Sequence, residues 1–198
     1  MKRIILLLAV FSVMNHVAAQ KRFRSDNAYT ELLQPPGYIT ISEIGGGIGL
    51  GQVVSPYSQY VFDLVTIHGY QINKNYITSI GTGLSFYNEG KMLPVFADFR
   101  YIQNFHFKLG SKLKVNKGGV SMSKSLIIPY LFTKTGFLFS IFGADTDTKF
   151  FIHPGVGMNY SINQKVSVNF GAGLLAQYGN YRDSFIRFKA GISYKPGK

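Results

Sequence analysis

The sequence predicts an all-β chain: an eight-stranded, antiparallel, up-and-down β-barrel that crosses a membrane. Three observations lead there. The composition is rich in Tyr (13), Phe (17) and Gly (22), with only 15% charged residues, which favours strands and tight turns over helices. Strand-like runs follow one another to the end of the chain, most of them longer than the usual soluble strand of about 5–6 residues. Within the clearest runs, apolar residues alternate with a second row made largely of glycine.

The first element is a leader. "MKRIILLLAVFSVMNHVAAQ" has a basic start, an apolar run from Ile4 to Met14, and small Val17 and Ala19. The run is too short for a membrane helix, which needs roughly 20 residues. The three-part pattern predicts a secretory signal, residues 1–19, cleaved after Ala19. No Cys follows it, so a lipoprotein anchor is not expected. The chain has no Cys and no Trp, which excludes a disulfide framework and a thiolate metal site.

Loss of Lys2 and Arg3 with the leader lowers the formal net charge from +12 to +10. A basic balance of that size raises the question of nucleic acid. The positive residues fall in turns and tails, and no nucleic-acid motif is present, so no nucleic-acid partner is expected.

Residues 20–37, "QKRFRSDNAYTELLQPPG", form a polar periplasmic lead-in that ends in Pro35-Pro36-Gly37. The barrel then spans 38–194, and 195–198 form a tail. The eight expected strands are 38–51, 58–72, 76–88, 92–105, 126–141, 150–161, 165–178 and 184–194. Each can supply the roughly 9–11 residues of a tilted transmembrane strand. Tight polar turns, "NKN" at 73–75 and "NQK" at 163–165, alternate with longer connections such as "GQVVSPY" and "FGADTDTK". Short turns at one rim and longer loops at the other suit a barrel with both termini in the periplasm. The segment 106–125, "HFKLGSKLKVNKGGVSMSKS", breaks that rhythm with 20 residues and five lysines. Two readings stand: a hairpin closed near Gly118-Gly119 that prolongs its flanking strands, or a disordered tip.

The period of two assigns faces. Ile80, Thr82, Leu84 and Phe86 alternate with Ser79, Gly81, Gly83 and Ser85; Val166, Val168, Phe170, Ala172 and Leu174 alternate with Ser167, Asn169, Gly171 and Gly173. The runs 150–161 and 184–194 behave alike, whereas 58–72 and 126–141 alternate poorly and their facing stays open. A glycine-rich row is costly on a solvated sheet surface. It suits the interior of an eight-stranded barrel, which has room only for tightly packed side chains. The apolar row then faces lipid, with Tyr and Phe at its ends.

In "LPVFADFRY" (93–101), Asp98 and Arg100 are two residues apart and share the inward face. Together with Glu43, Arg187 and Lys189 they form the expected lumenal polar network, a packing role rather than a catalytic one. Pro94 is expected near the strand's start, where a missing N–H does least harm.

"GTGLSFYNEGKMLPVFADFRY" (81–101) and "HPGVGMNYSINQKVSVNFGAGLLAQY" (153–178) resemble the outer-membrane β-barrel domain family, the small porin-like barrels of Gram-negative bacteria. The resemblance covers about residues 38–194. It implies an eight-stranded antiparallel barrel in the outer membrane with no established enzymatic activity. Two features depart from the family pattern: "KPGK" follows Tyr194 where such barrels end in an aromatic residue, and the insert 106–125 is long.

Candidate chemistry is sparse. Of His68, His106 and His153, the last is followed by Pro154 and has Gly155, not Ser, at its next same-face position, which argues against a lipid-modifying Ser–His site. Asp145 and Asp147 have alternate spacing but lack the Gly and Glu of a calcium loop. No cofactor or metal is expected. The expectation is an integral outer-membrane barrel, structural or interacting through its loops, with a filled lumen. The expected partners are outer-membrane lipids and a periplasmic or surface protein. The alternatives are a narrow solute channel, then a lipid-modifying enzyme or a soluble ligand-carrying barrel.

Overall fold

The computed structural model describes residues 36–50, 59–88, 90–103, 107–116, 119–142, 147–162, 165–180 and 182–196, with backbone alone for 107–126. The leader, the lead-in up to residue 35, His106 and Asp145 lie outside the described residues.

Nine strands follow in order: β1 (Gly37–Gly49), β2 (Tyr60–Gln71), β3 (Tyr76–Tyr87), β4 (Lys91–Ile102), β5 (Phe107–Asn116), β6 (Gly119–Phe142), β7 (Lys149–Ser161), β8 (Val166–Tyr178) and β9 (Arg182–Tyr194). Every pairing is antiparallel between neighbours: β1 with β2 and β9, then β2–β3, β3–β4, β6–β7, β7–β8 and β8–β9. The β4–β6 ladder, from Lys91↔Phe142 to Ile102↔Tyr130, closes the ring. Eight strands form the wall, and β5 stands outside it, paired with β6 alone.

The insert is thus drawn as a hairpin. The expected strand 126–141 is one part of the 24-residue β6, which first pairs β5 from Asn116↔Gly119 to Phe107↔Ile127 and then joins the wall. A register shift lies between Lys108 and Ser111. One rim, which carries the start of β1 and the end of β9, has the tight turns. In the turn 72–75, Asn73 Oδ1 accepts the N–H groups of Asn75 and Tyr76, both at 2.9 Å. At the other tight turn, Ile162 N–H donates to Val166 C=O at 3.1 Å.

The β3–β4 ladder runs to Thr82↔Val95 and resumes at Ser85↔Met92. The gap lies beside Pro94, which has no N–H to give. Pro94 therefore interrupts a ladder inside the wall instead of sitting harmlessly at its edge, while the β6 side keeps its register through Pro94↔Leu138.

Alternating burial along the strands fixes which face is which. Outward positions include Ile44, Leu64, Ile80, Val95, Phe99, Val156, Phe170 and Ile192, all exposed, with Ile80 at 72%. Soluble monomers rarely expose so continuous an apolar belt to water; the belt is the lipid-facing surface of a transmembrane barrel. Tyr38, Tyr70, Tyr76, Tyr101 and Tyr194 stand exposed at the tight-turn rim, and Tyr60, Phe142, Phe150 and Tyr178 at the other. These are the two aromatic girdles such a surface requires.

The poorly alternating strands also resolve. In β2, Val61, Asp63, Val65, Ile67 and Gln71 face inward, and in β6 Ile128, Tyr130, Phe132, Lys134 and Leu138 do.

Candidate functional site: the charged interior of the barrel

Inward glycines make room for large neighbours. A Cβ on Gly81 would lie 2.5 Å from the Phe96 ring, and one on Gly155 or Gly157 would strike the rings of Phe132 or Tyr130. On Gly47 it would meet Arg187 Cγ at 2.7 Å, and on Gly171 Lys189 Cε at 2.8 Å. The glycine row and the aromatic and cationic side chains are two halves of one packing scheme.

At mid-height the interior is ionic. Glu43 on β1 is buried (3% exposed). Its Oε1 accepts from Arg100 Nη2 at 2.8 Å and Lys189 Nζ at 3.2 Å, and its Oε2 accepts from Lys134 Nζ at 2.5 Å. Arg100 also donates to Asp98 Oδ2, from Nε at 2.9 Å and Nη2 at 2.6 Å. Around the ring, β1 and β9 lie opposite β4 and β6. The bonds from Glu43 to Arg100 and Lys134 therefore cross the lumen from wall to wall.

Aromatic faces complete the cation sites. Lys189 Nζ sits 3.4 Å from the Phe132 ring centre, Lys134 Nζ 5.0 Å from Phe96, and the Arg100 guanidinium carbon 5.5 Å from Tyr130. Stacking of this kind strengthens where water is excluded.

Four of the five residues expected in the lumen, Glu43, Asp98, Arg100 and Lys189, thus meet in one cluster. Arg187 faces inward but pairs with Asp63 of β2, whose Oδ1 accepts from Ser85 Oγ at 2.5 Å. Sequence reasoning missed Lys134, Asp63 and Ser85 as members. Lys134 and Asp63 lie on the two strands whose alternation is blurred. Ser85 was already on the inward row, and only its partner was hidden.

A second cross-barrel contact lies nearer the long-loop rim, where Gln177 Nε2 on β8 donates to Tyr87 Oη on β3 at 2.5 Å. At the tight-turn mouth, Lys195 Nζ donates to Gln71 Oε1 at 2.6 Å. Burial there lowers the Lys195 ammonium to about 8.

Two small cavities flank the ionic layer. One, of about 30 Å³, reaches toward the long-loop rim between Glu43, Asp63, Ser85, Lys134, His153 and Arg187. The other, of about 40 Å³, reaches toward the tight-turn rim between Gln71, Arg100, Tyr130, Asn159 and Asn169. Each has room for one or a few waters.

Among the described residues, His68 and His153 lie apart on opposite faces of the wall. His153 is buried edge-on against the Phe132 ring at 5.2 Å, and its Nε2 has no hydrogen-bond partner. His68 faces outward, with its Nδ1 2.7 Å from Tyr38 Oη and its Nε2 3.3 Å from Thr66 Oγ1. Asp147 pairs with Asn180. Among the described residues no cluster of His, Asp or Glu could hold a metal ion.

An apolar belt, two aromatic girdles and a charged, packed interior define a transmembrane β-barrel of eight strands. No family model matches the chain, and no curated relative matches it. Among solved structures, it is similar to Neisserial surface protein A (15% identity, TM-score 0.46, covering 82% of this chain and 100% of that one). It is also similar to a de novo designed transmembrane β-barrel (16% identity, TM-score 0.43, covering 82% and 98%). The N-terminal β-barrel domain of Pseudomonas aeruginosa OprF follows (13% identity, TM-score 0.40, covering 80% and 98%).

Proposed function

We propose that the chain is an exported, integral outer-membrane barrel whose lumen is closed by side chains and whose role is structural or exercised through its rims. The ionic layer around Glu43 is the observation that carries this reading. It joins opposite walls at mid-height, and the space on either side is only about 30 and 40 Å³. A filled interior is what eight strands geometrically allow. The leader read from residues 1–19 supports export, and the apolar belt supports the membrane.

Among the described residues the interior's hydroxyl–carboxylate contact, Ser85 Oγ to Asp63 Oδ1, is buried beside Arg187, and we read it as packing rather than catalysis. The narrow channel is the second reading, because small cavities lie on either side of the salt bridges between Glu43, Arg100, Lys134 and Lys189. Planar-bilayer recording of the purified protein decides between them. A filled barrel gives no steady single-channel steps, and regular unitary steps would overturn the proposal in favour of the channel.

A further inference from the structure

The interior holds more positive than negative charge. Among the described residues inside the wall, the carboxylates are Glu43, Asp63, Asp98 and Asp183, and the cations are Arg100, Lys134, Lys149, Arg187 and Lys189. Lys149 pairs with Asp183 at 3.7 Å, Arg187 with Asp63, and Arg100 with Asp98 at 2.6 Å. That leaves Glu43 to serve both Lys134 and Lys189, two ammonium groups on one carboxylate that also reaches Arg100. Buried charges need partners of opposite sign, and a lysine, with an ordinary value of about 10.4, holds its proton at neutral pH.

A second observation points to the same place. The cavity of about 30 Å³ on the long-loop side of Glu43 is bordered by Lys134, Arg187, Lys189 and His153. His153 is 3% exposed, and its Nε2 has no hydrogen-bond partner. The registers surround it with cations. Lys134 is its partner on β6, and Arg187 is the partner of Gly173, where a Cβ would come within 2.9 Å of His153 Nε2. Lys189 Nζ and the His153 ring lie against the same Phe132 ring, 3.4 and 5.2 Å from its centre. A neutral imidazole can carry its proton on Nε2. Such an N–H, set among three cations, calls for an acceptor that is negative.

We infer that this cavity binds one small monovalent anion of halide chemistry, held by Lys134, Arg187, Lys189 and the His153 Nε2–H, which takes up the charge the carboxylates leave over. Each lysine gives Glu43 one of its three N–H groups. The cavity has about the room of one water, which suits chloride or bromide. The site belongs to the interior and does not depend on the lumen being closed. Single-channel steps would overturn the function proposed above, whereas the salt titration below decides the site alone.

Urea unfolding of the full chain, refolded in neutral detergent, tests it in sodium chloride against sodium gluconate of equal ionic strength. The two salts screen surface charge alike, and gluconate is too large for the cavity. The unfolding midpoint is expected to rise with chloride and level off, as binding to the folded state alone requires, and bromide should substitute. His153→Leu removes the N–H and should raise the half-saturating chloride concentration about 10–100-fold, the worth of one hydrogen bond to a charged group. His153→Glu supplies the missing negative charge from the chain itself and should abolish the chloride dependence with the barrel still folded. Asn169→Ala, on the border of the other cavity, should leave the dependence as it is. Equal midpoints in the two salts would overturn the site and mean that one lysine is neutral. So would an unshifted half-saturation in His153→Leu, or a chloride dependence that persists in His153→Glu, either of which would place the effect elsewhere.

Discussion

Glu43 accepts from three cations, Arg100, Lys134 and Lys189, and among the described residues no other carboxylate is hydrogen-bonded to two of them. Breaking a buried ion pair by removing one partner costs about 3–5 kcal/mol, because the remaining charge is left without compensation. Glu43→Gln should therefore lower the unfolding free energy of the refolded barrel by roughly that amount in urea titration. A change below about 1 kcal/mol would mean that the cations are satisfied by water or by Asp98. The glycines make a steric counterpart. Gly81→Ala forces a methyl against the Phe96 ring, and overpacking of this kind costs about 1–3 kcal/mol; the same titration should show it. Lys195 adds a pH dependence. Its folded value of about 8 lies below the ordinary lysine value of about 10.4, so between those pH values the unfolded chain holds a proton that the folded chain has lost. Stability should rise with pH through that window, and the increment should vanish in Lys195→Met.

At the scale of elements, the sequence disclosed those strands whose two faces differ in chemistry. Through the middle of β3 and β8 the inward row (Ser79 to Ser85, Ser167 to Gly173) is Gly, Ser and Asn while the outward row is apolar or Thr. The period of two is plain there, and Ile77, Tyr87, Leu175 and Gln177 break it only at the ends. In β2 the inward row holds Val61, Val65 and Ile67 while the outward row holds Thr66 and His68. In β6 inward Tyr130, Phe132 and Leu138 face Thr133 and Thr135 across the strand. An interior lined with isoleucine and aromatic rings erases the contrast that alternation depends on, which is why Lys134 and Asp63 escaped notice. The cluster itself needs the closure of the ring, because Glu43 and Arg100 are 57 residues apart and on opposite walls. The hairpin was legible as one of two readings of an anomaly of length and charge, because the Gly118-Gly119 pair offers a turn while the lysines suit a disordered tip equally well. It contributes no strand to the closed wall: β4 and β6 pair through Ile102↔Tyr130, and Gln103 N–H still donates to Pro129 C=O at 3.0 Å. Replacing residues 106–125 with a four-residue Gly-Ser turn should accordingly leave the barrel folded, seen as an unchanged heat-modifiable shift in electrophoresis. Loss of that shift would show that the β5–β6 pairing is needed to bring β4 and β6 together.

The whole molecule is matched to the layer it crosses. Outward aromatic residues ten apart frame three of the strands: Tyr60 and Tyr70 on β2, Tyr76 and Phe86 on β3, Phe150 and Tyr160 on β7. Ten residues at about 3.4 Å, inclined by about 40°, rise about 26 Å. That agrees with the roughly 25 Å apolar band of outer-membrane barrels and falls short of the roughly 30 Å of a typical bilayer core. A thicker bilayer must thin around the barrel or draw the girdle tyrosines into hydrocarbon, at a fraction of a kcal/mol per Å of mismatch. Refolding from urea into phosphatidylcholine vesicles of increasing chain length should therefore give its highest folded yield where the hydrocarbon layer is near 25 Å, and the yield should fall as the layer thickens. The ionic interior makes no contact with lipid, so Glu43→Gln should lower the yield at every thickness without moving its optimum. An optimum that moved with Glu43 would place the match in the interior. An optimum unmoved by Glu43 but shifted when Tyr70 and Tyr160 are replaced by alanine would place it at the girdle.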